Sequence, residues 1–343
     1  MALQIGIVGA GRSGVRSAHA LEAYPDMQIV AVAEPNRPSR DAFAREFGAR
    51  LAVSDHRRLA VDEMVDIVYI CSPPSTHSAV AVDCLQCGKH VICCQPMAVS
   101  MTQADEMIQA AESSSAQLFV ALPQRYDPLS QEAARRMEHE EIGYPFLGLV
   151  SYLENDFDRL NDWHHWHGTW GIGGGGVLIR HGSGIADLLQ YFFGEVDAVS
   201  AVCTRFAIEP LNKAEDSCVV GLEFLEDATA EIAITGAARY SAWPEKYSGT
   251  AMRLEIYGLE GSLRITDFEP SLILANKKGH QVIPRSEIKT DLPTDMHRDF
   301  LDCILEGKEP LVTPAHAKGA LKVILAAYKS SQMKRRVETI EHL

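Results

Sequence analysis

The chain has 343 residues, enough for two domains that each bury a substantial core, and its 46% hydrophobic and 23% charged content is ordinary for a soluble globular protein. A formal net charge of −14 with no Lys/Arg-rich run argues against nucleic acid or an anionic membrane as a partner. No apolar stretch approaches the roughly 20 residues needed to span a bilayer, and a strand pattern begins too near the N terminus to leave room for a signal peptide, so a cytoplasmic location is expected.

Residues 1–122 alternate strand and helix patterns. Ile5–Val8 and Ile29–Ala33 read as strands, with a helix over Gly14–Tyr24 between them. Arg40–Phe47 reads as a helix stopped by Gly48, and Ile67–Cys71 as a fully apolar strand. Ser78–Cys87 reads as a helix ended by Gly88, His90–Cys94 as a strand, Thr102–Ser113 as a helix and Leu118–Leu122 as a strand. Strands alternating with helices of about ten residues imply a Rossmann-type, doubly wound parallel sheet, with ligand along the carboxyl ends of the strands. From residue 123 to 343 the texture changes. Pro128–Glu140 reads as a helix, Phe146–Leu153 as a strand, and Arg159–Trp170 as a loop rich in histidine and tryptophan. Gly173–Gly176 leads into a helix to about Phe193. Ala198–Thr204, Cys218–Phe224, Ala228–Thr235, Met252–Gly258 and Gly261–Thr266 alternate as antiparallel strands, and Asp295–Leu305 and Pro314–Met333 close the chain as helices. This predicts a second, α+β domain on a mostly antiparallel open sheet. The eight cysteines lie in apolar segments and read as reduced core thiols. Cys84-Leu85-Gln86-Cys87 has no second such pair to complete a zinc site, and no metal is expected.

The chemistry-bearing stretch is Gln4–His19. An apolar run ends in Gly9-Ala10-Gly11-Arg12-Ser13-Gly14 and passes into a helix, the strand–loop–helix of a dinucleotide site. Gly9 permits the tight turn, Gly11 lets backbone approach a pyrophosphate, and Gly14 lets helix and strand pack closely. The pyrophosphate is expected at the helix N-terminus, where N–H groups and dipole favour an anion. Glu34 ends the second strand, 20 residues after Gly14, where a carboxylate bonds the ribose hydroxyls and repels a 2′-phosphate. NAD is therefore preferred over NADP. Arg37 and Arg40 moderate that preference, because an arginine there can accept the extra phosphate.

With these pieces in view the chain resembles the glucose–fructose oxidoreductase, inositol dehydrogenase and MocA family (Gfo/Idh/MocA) along nearly its whole length. The matches are the glycine loop, Ser72-Pro73-Pro74-Ser75-Thr76-His77, and Gly88-Lys89-His90-Val91-Ile92-Cys93 leading to Pro96. They continue with Gln124-Arg125-Tyr126-Asp127-Pro128 and the Gly173–Gly176 run before a helix carrying Asp187. The resemblance implies hydride transfer between NAD(P) and a sugar, polyol or related ring, and homo-oligomers, dimer or tetramer, packed through the C-terminal sheet. It places Gly9, Gly11, Arg12, Ser13, Gly14, Glu34, Arg37, Ser72, Pro73, Pro74, His77, Gln95, Pro96 and Arg125 at the cofactor. It places Arg125, Trp166, Arg180, Gly184 and Asp187 at the substrate.

Three departures stand out. The family's usual Glu-Lys-Pro is Cys94-Gln95-Pro96 here, and its Asp or Asn and its His before the surviving Asp187 are Arg180 and Gly184. Gln95 can orient a hydroxyl but cannot take its proton, and Arg180 stays protonated. On an unbroken helix, residues 180, 184 and 187 share one face. Arg180 is then either paired with Asp187 or free to hold an acid, and Gly184 leaves a space. His181 lies about 100° around the helix from Arg180. The loop Trp163–Trp170 is the better reservoir of a relocated base, in His164, His165 or His167, with Trp166 or Trp170 available to stack on a ring. The candidate catalytic set is therefore Gln95, Arg180, His181, His165 and His167. The expected function is an NAD(P)-dependent oxidoreductase acting on a sugar-derived, polyol or cyclic substrate bearing an acidic group. A non-redox NAD-binding lyase or decarboxylase, and a catalytically silent NAD sensor, remain open alternatives.

Overall fold

The structure is a computed structural model that describes residues 2–162, 165–206, 214–238, 250–266 and 270–339. The chain forms two compact units, one running to Leu122 and taking in Asp295–Lys318, the other comprising Pro123–Thr294 and the segment from Gly319. The first unit runs β1 (Leu3–Val8), α1 (Arg12–Leu21), β2 (Met27–Ala33), α2 (Arg37–Phe47), β3 (Leu51–Val53), α3 (His56–Ala60), β4 (Ile67–Ile70), α4 (His77–Gln86), β5 (His90–Cys94), α5 (Met101–Glu112) and β6 (Leu118–Ala121). Its strands are parallel in the order β3-β2-β1-β4-β5-β6. That is the doubly wound order, reversing direction between β1 and β4. β4 and β6 are buried along their whole length, as strands covered on both faces must be. The sequence reading omitted β3 and α3, which are too short at three and five residues to show a period.

Local chemistry starts most of these helices. Asn36 accepts from Ser39 N at α2, Ser100 from Gln103 N at α5, and Asp295 from Arg298 N at the later helix Met296–Glu306. Gly48 and Gly307 stop two of them at φ +70° and +69°. Helix α1 begins on Gly11 with no side-chain cap and no acidic residue in its first turn, and α4 likewise starts without a side-chain cap. Helix Met296–Glu306 belongs to this unit through Phe300, whose ring stacks on Phe119 at 4.7 Å.

The second unit contains α6 (Pro128–Glu138), β7 (Pro145–Glu154), α7 (Phe157–Leu160), α8 (Trp170–Gly173) and α9 (Ser183–Phe193). These precede β8 (Val196–Thr204), β9 (Ser217–Phe224), β10 (Thr229–Thr235), β11 (Thr250–Gly258), β12 (Gly261–Thr266), β13 (Ser271–Asn276), β14 (Gly279–Pro284) and β15 (Val337–Glu338). The sheet order is β14-β13-β12-β11-β7-β10-β9-β8-β15. Among the described strands β7 and β10 pair in parallel and the other neighbours are antiparallel. One face is covered: a side chain at Gly148 of β7 would meet the Phe193 ring of α9 at 2.9 Å. Strand β10 shows the resulting alternation, with Ala230, Ile232 and Ile234 buried and the residues between them more open.

Two features of this unit differ from the sequence reading. The residues read as the loop Arg159–Trp170 contribute to α7, to a short turn over Trp166–Gly168 and to the start of α8. The helix read from the glycine run to Phe193 is interrupted, because Leu178–Gly182 forms a π turn before α9. A π turn changes the phase of everything after it. Strands β13 and β14 also lie outside the sequence reading. Among the described residues no helix is long and apolar enough to cross a membrane.

Candidate active site

In the first unit the three loop glycines each meet a different environment. Gly9 has φ +100°, and a Cβ there would stand 2.7 Å from Ser72 N at the end of β4. A Cβ on Gly14 would come within 1.9 Å of the Gly9 carbonyl oxygen, whereas one on Gly11 would meet nothing within 4 Å. The loop is therefore closed on itself and open outward at Gly11, at the uncapped first turn of α1. Arg12 is exposed there, with no partner among the described residues, and Ser13 is half-buried beside it. Glu34 accepts from Ala10 N at 3.0 Å and Asn36 N at 2.8 Å, which pins its carboxylate against the loop. Arg40 donates to the Glu34 carbonyl oxygen at 2.8 Å, and Arg37 is 82% exposed beside Asp41. His77 is buried with Nδ1 2.9 Å from the Pro96 carbonyl and Nε2 2.8 Å from the Ser72 carbonyl. It ties the Ser72–Pro74 turn to the cis Gln95–Pro96 segment and presents neither ring nitrogen outward. Gln95 Oε1 is buried without a hydrogen-bond partner among the described residues. An open anion cradle, a pinned ribose-side carboxylate and an orphaned amide oxygen fit a dinucleotide.

In the second unit a charged cluster forms where β7 runs out. Asp156 Oδ2 lies 2.7 Å from His167 Nδ1 and 2.8 Å from Arg180 Nη1, and Oδ1 accepts from Arg159 at 2.6 Å. Arg180 Nη1 and His167 Nδ1 are themselves only 2.9 Å apart. A carboxylate only accepts, so at 2.7 Å it requires the proton on Nδ1, and both nitrogens are donors converging on one oxygen. The neutral ring then carries its lone pair on Nε2, which has no partner among the described residues. Burial pushes His167 down to about 4; Arg180 adds to the effect and Asp156 opposes it. Arg180 Nη2 reaches Glu154 at 3.2 Å, while its Nε is buried without a partner among the described residues. Burial works to raise the carboxyls of Glu154 and Asp156, but His181 and Arg180 at the first and His167 and Arg180 at the second hold both below the usual range.

The expectations about Arg180 and Gly184 are corrected, and His181 is placed. Arg180 is neither paired with Asp187 nor free; two carboxylates hold it, which removes the ground for expecting an acid on the substrate. His181 stacks on Tyr152, with Nδ1 3.0 Å from the Tyr152 hydroxyl and Nε2 2.9 Å from Glu154 Oε2 but out of line for a hydrogen bond. Nor is Gly184 a hole for an imidazole, because a Cβ there would lie 2.5 Å from the Gln124 carboxamide. Asp187 is wholly buried and bound by Arg125 through Nε and Nη2, each at 2.8 Å, and Arg125 also lies over the Tyr191 ring. Arg180 is thus split by the π turn from Gly184 and Asp187: it meets Glu154 and Asp156, while the other two, one turn apart on α9, face the consecutive residues Gln124 and Arg125. His165 Nδ1 accepts from His167 N at 3.4 Å, and the His165 and Trp166 rings both stand edge-on to His167 at 4.3 Å. Trp163 and His164 lie outside the described residues.

The comparisons with known proteins decide the family. The sequence model of the oxidoreductase family with an NAD-binding Rossmann fold matches residues 3–122, and that of its C-terminal alpha/beta domain matches residues 137–339. The chain belongs to the Gfo/Idh/MocA oxidoreductase family. Its cofactor is NAD. Myo-inositol 2-dehydrogenase of Thermotoga maritima is 25% identical over 352 aligned positions, covering 99% of both chains. The scyllo-inositol 2-dehydrogenase (NAD(+)) of Bacillus subtilis is 24% identical and covers 94% of this chain and 92% of its own. The fold superposes on levoglucosan dehydrogenase in complex with NADH with a TM-score of 0.87, at 23% identity and 99% coverage of both.

Within this Gfo/Idh/MocA chain, four residues that sequence reasoning passed over shape the site. Glu154 and Asp156 were legible as two acids two apart at the end of an apolar strand, a spacing that puts both on one side. Gln124 was quoted as part of a motif and given no role. Glu215 gave no signal. It is buried and accepts from Gly176 N at 2.9 Å, Leu178 N at 3.0 Å and the Tyr328 hydroxyl at 2.8 Å, holding the start of the helical segment that carries Arg180.

Proposed function

We propose that this chain oxidises a secondary hydroxyl of a polyol or sugar-derived ring, with His167 as the proton carrier. The observation that carries this reading is the Asp156–His167 contact of 2.7 Å with Nε2 unpartnered among the described residues. When bound, NAD supplies the hydride acceptor. His167 Nε2 takes the hydroxyl proton as the carbinol C–H pair leaves as hydride, giving a ketone, NADH and a proton. Asp156 keeps Nδ1 protonated, which fixes the tautomer and the ring plane. Gln95 and Gln124 each hold a buried amide oxygen without a partner among the described residues, suited to orient hydroxyl or amide donors. The fixed Glu34 carboxylate, with Arg37 turned to solvent and Arg40 engaged by backbone, supports NAD over NADP. The named relatives support polyols and anhydrosugars as substrates.

The remaining parts of the reading are self-association and location. Val202 and Val219 face each other across β8 and β9 and are 64% and 50% exposed, which supports packing of a second copy on this sheet as a dimer or tetramer. A cytoplasmic site of action suits a reduced NAD enzyme with free cysteines. The test is the appearance of NADH when NAD and a panel of inositols, aldoses and levoglucosan are mixed with the wild type and with His167→Asn. Consumption of a panel member without NADH would overturn the redox assignment in favour of cofactor-neutral chemistry.

A further inference from the structure

Arg180 stands where the family carries a carboxylate or amide, and its environment accounts for it in a way a substrate-binding role does not. Its side chain is nine-tenths buried, and both terminal nitrogens are engaged, Nη1 on Asp156 and Nη2 on Glu154. Nη1 shares Oδ2 with His167 Nδ1 while standing 2.9 Å from that nitrogen. An ordinary carboxylate–histidine pair stabilises the imidazolium, because the anion faces the developing charge. Here a permanent cation occupies the same oxygen, and Arg159 takes the other. The charged and titratable groups facing His167 are Asp156 from beyond β7, Arg180 from the π turn and His165 from its own segment. Arg159 and Glu154 act one contact further out. Two guanidiniums already balance two carboxylates, so an imidazolium would be a third cation in a buried cluster.

We infer that Arg180 is a positioning residue: by sharing Asp156 Oδ2 with His167, it keeps the imidazole neutral, protonated on Nδ1, with Nε2 as the open acceptor. The inference rests on His167 being the proton carrier but is tested apart from it. It also gives the site a direction. At neutral pH the imidazole is already in the unprotonated form that hydroxyl oxidation requires, with its low basicity weakening each proton transfer, whereas carbonyl reduction needs the scarce imidazolium and speeds up as pH falls.

The experiment is imidazole NMR of the ligand-free protein labelled with 15N at histidine. His167→Asn identifies the resonance, and wild type, Arg180→Lys and Arg180→Met are compared. In the wild type, Nδ1–H and a titration midpoint near 4 are expected. Arg180→Met should raise the midpoint by on the order of one pH unit or more, with Arg180→Lys between. A folded Arg180→Met with an unmoved midpoint would overturn the inference. So would a wild-type His167 that is protonated on Nε2 or titrates at the ordinary histidine value, a result that needs no variant to fold. If His167→Asn keeps full NADH-forming activity while Arg180→Met still moves the midpoint, the base assignment fails and the Arg180 role stands.

Discussion

A methyl group added at Gly14 and one added at Gly184 meet opposite fates. At Gly14 it strikes a backbone oxygen at 1.9 Å, which cannot yield without breaking the loop. Gly14→Ala should cost about 1–3 kcal/mol or more of stability and remove NAD binding, measured by thermal melting and calorimetric titration. At Gly184 it strikes the end of the Gln124 side chain at 2.5 Å, which can swing away. Gly184→Ala should leave stability within about 1 kcal/mol of wild type, since alanine favours the helix, while displacing the Gln124 amide and lowering turnover. Equal destabilisation by the two changes would contradict this assignment. The dinucleotide loop was legible because glycine is the only residue whose absence of a side chain is written in the sequence. Gly184 misled for the same reason: a missing side chain does not say which neighbour fills the room.

The element at issue is the helical stretch Leu178–Phe193. Its period was read as unbroken, and on that reading Arg180, Gly184 and Asp187 formed one wall. The π turn over Leu178–Gly182 separates Arg180 from Gly184 and Asp187, and nothing in the composition announced it. What holds the start of this element is Glu215, which arrives from just before β9 and accepts three buried donors. Burial raises its carboxyl, opposed by those same hydrogen bonds. Glu215→Ala leaves the Gly176 and Leu178 amides and the Tyr328 hydroxyl without their acceptor, at about 1–3 kcal/mol for each group not rescued by water. Denaturant melts should show a loss of several kcal/mol, with Glu215→Gln recovering part of it. A loss below about 1 kcal/mol would show that the cap is dispensable.

For the molecule as a whole, the architecture was the most legible level. The order of strand and helix patterns through residue 122 led directly to a doubly wound sheet, and the alternation after residue 196 to a mostly antiparallel one. Contacts made across long stretches of chain were not legible: Asp156 meets Arg180 over 24 residues, and Arg125 meets Asp187 over 62. These buried groups also set the pH response. Burial lowers the pKa values of His90, His167 and His297 in the folded chain, His167 to about 4. Unfolded histidines take up protons at their higher, ordinary value, so this contribution to stability is complete above it and is lost as pH falls toward the folded values. The melting temperature should therefore decline between pH 7 and pH 5, before most carboxylates titrate, and His167→Asn should flatten part of that decline. A melting temperature constant over this interval would contradict the neutral, buried state of these rings.

The account turns on His167 accepting the proton, and the most direct test compares His167→Asn with wild type at neutral pH. NADH formation is followed from an inositol or anhydrosugar that the wild type oxidises, with NAD affinity measured in parallel. The prediction is a loss of about 10²- to 10⁴-fold in kcat with NAD affinity unchanged, since the imidazole is asked to move a proton and not to hold the cofactor. A variant that keeps kcat within a few-fold of wild type would contradict it and send the search for the base elsewhere in the chain.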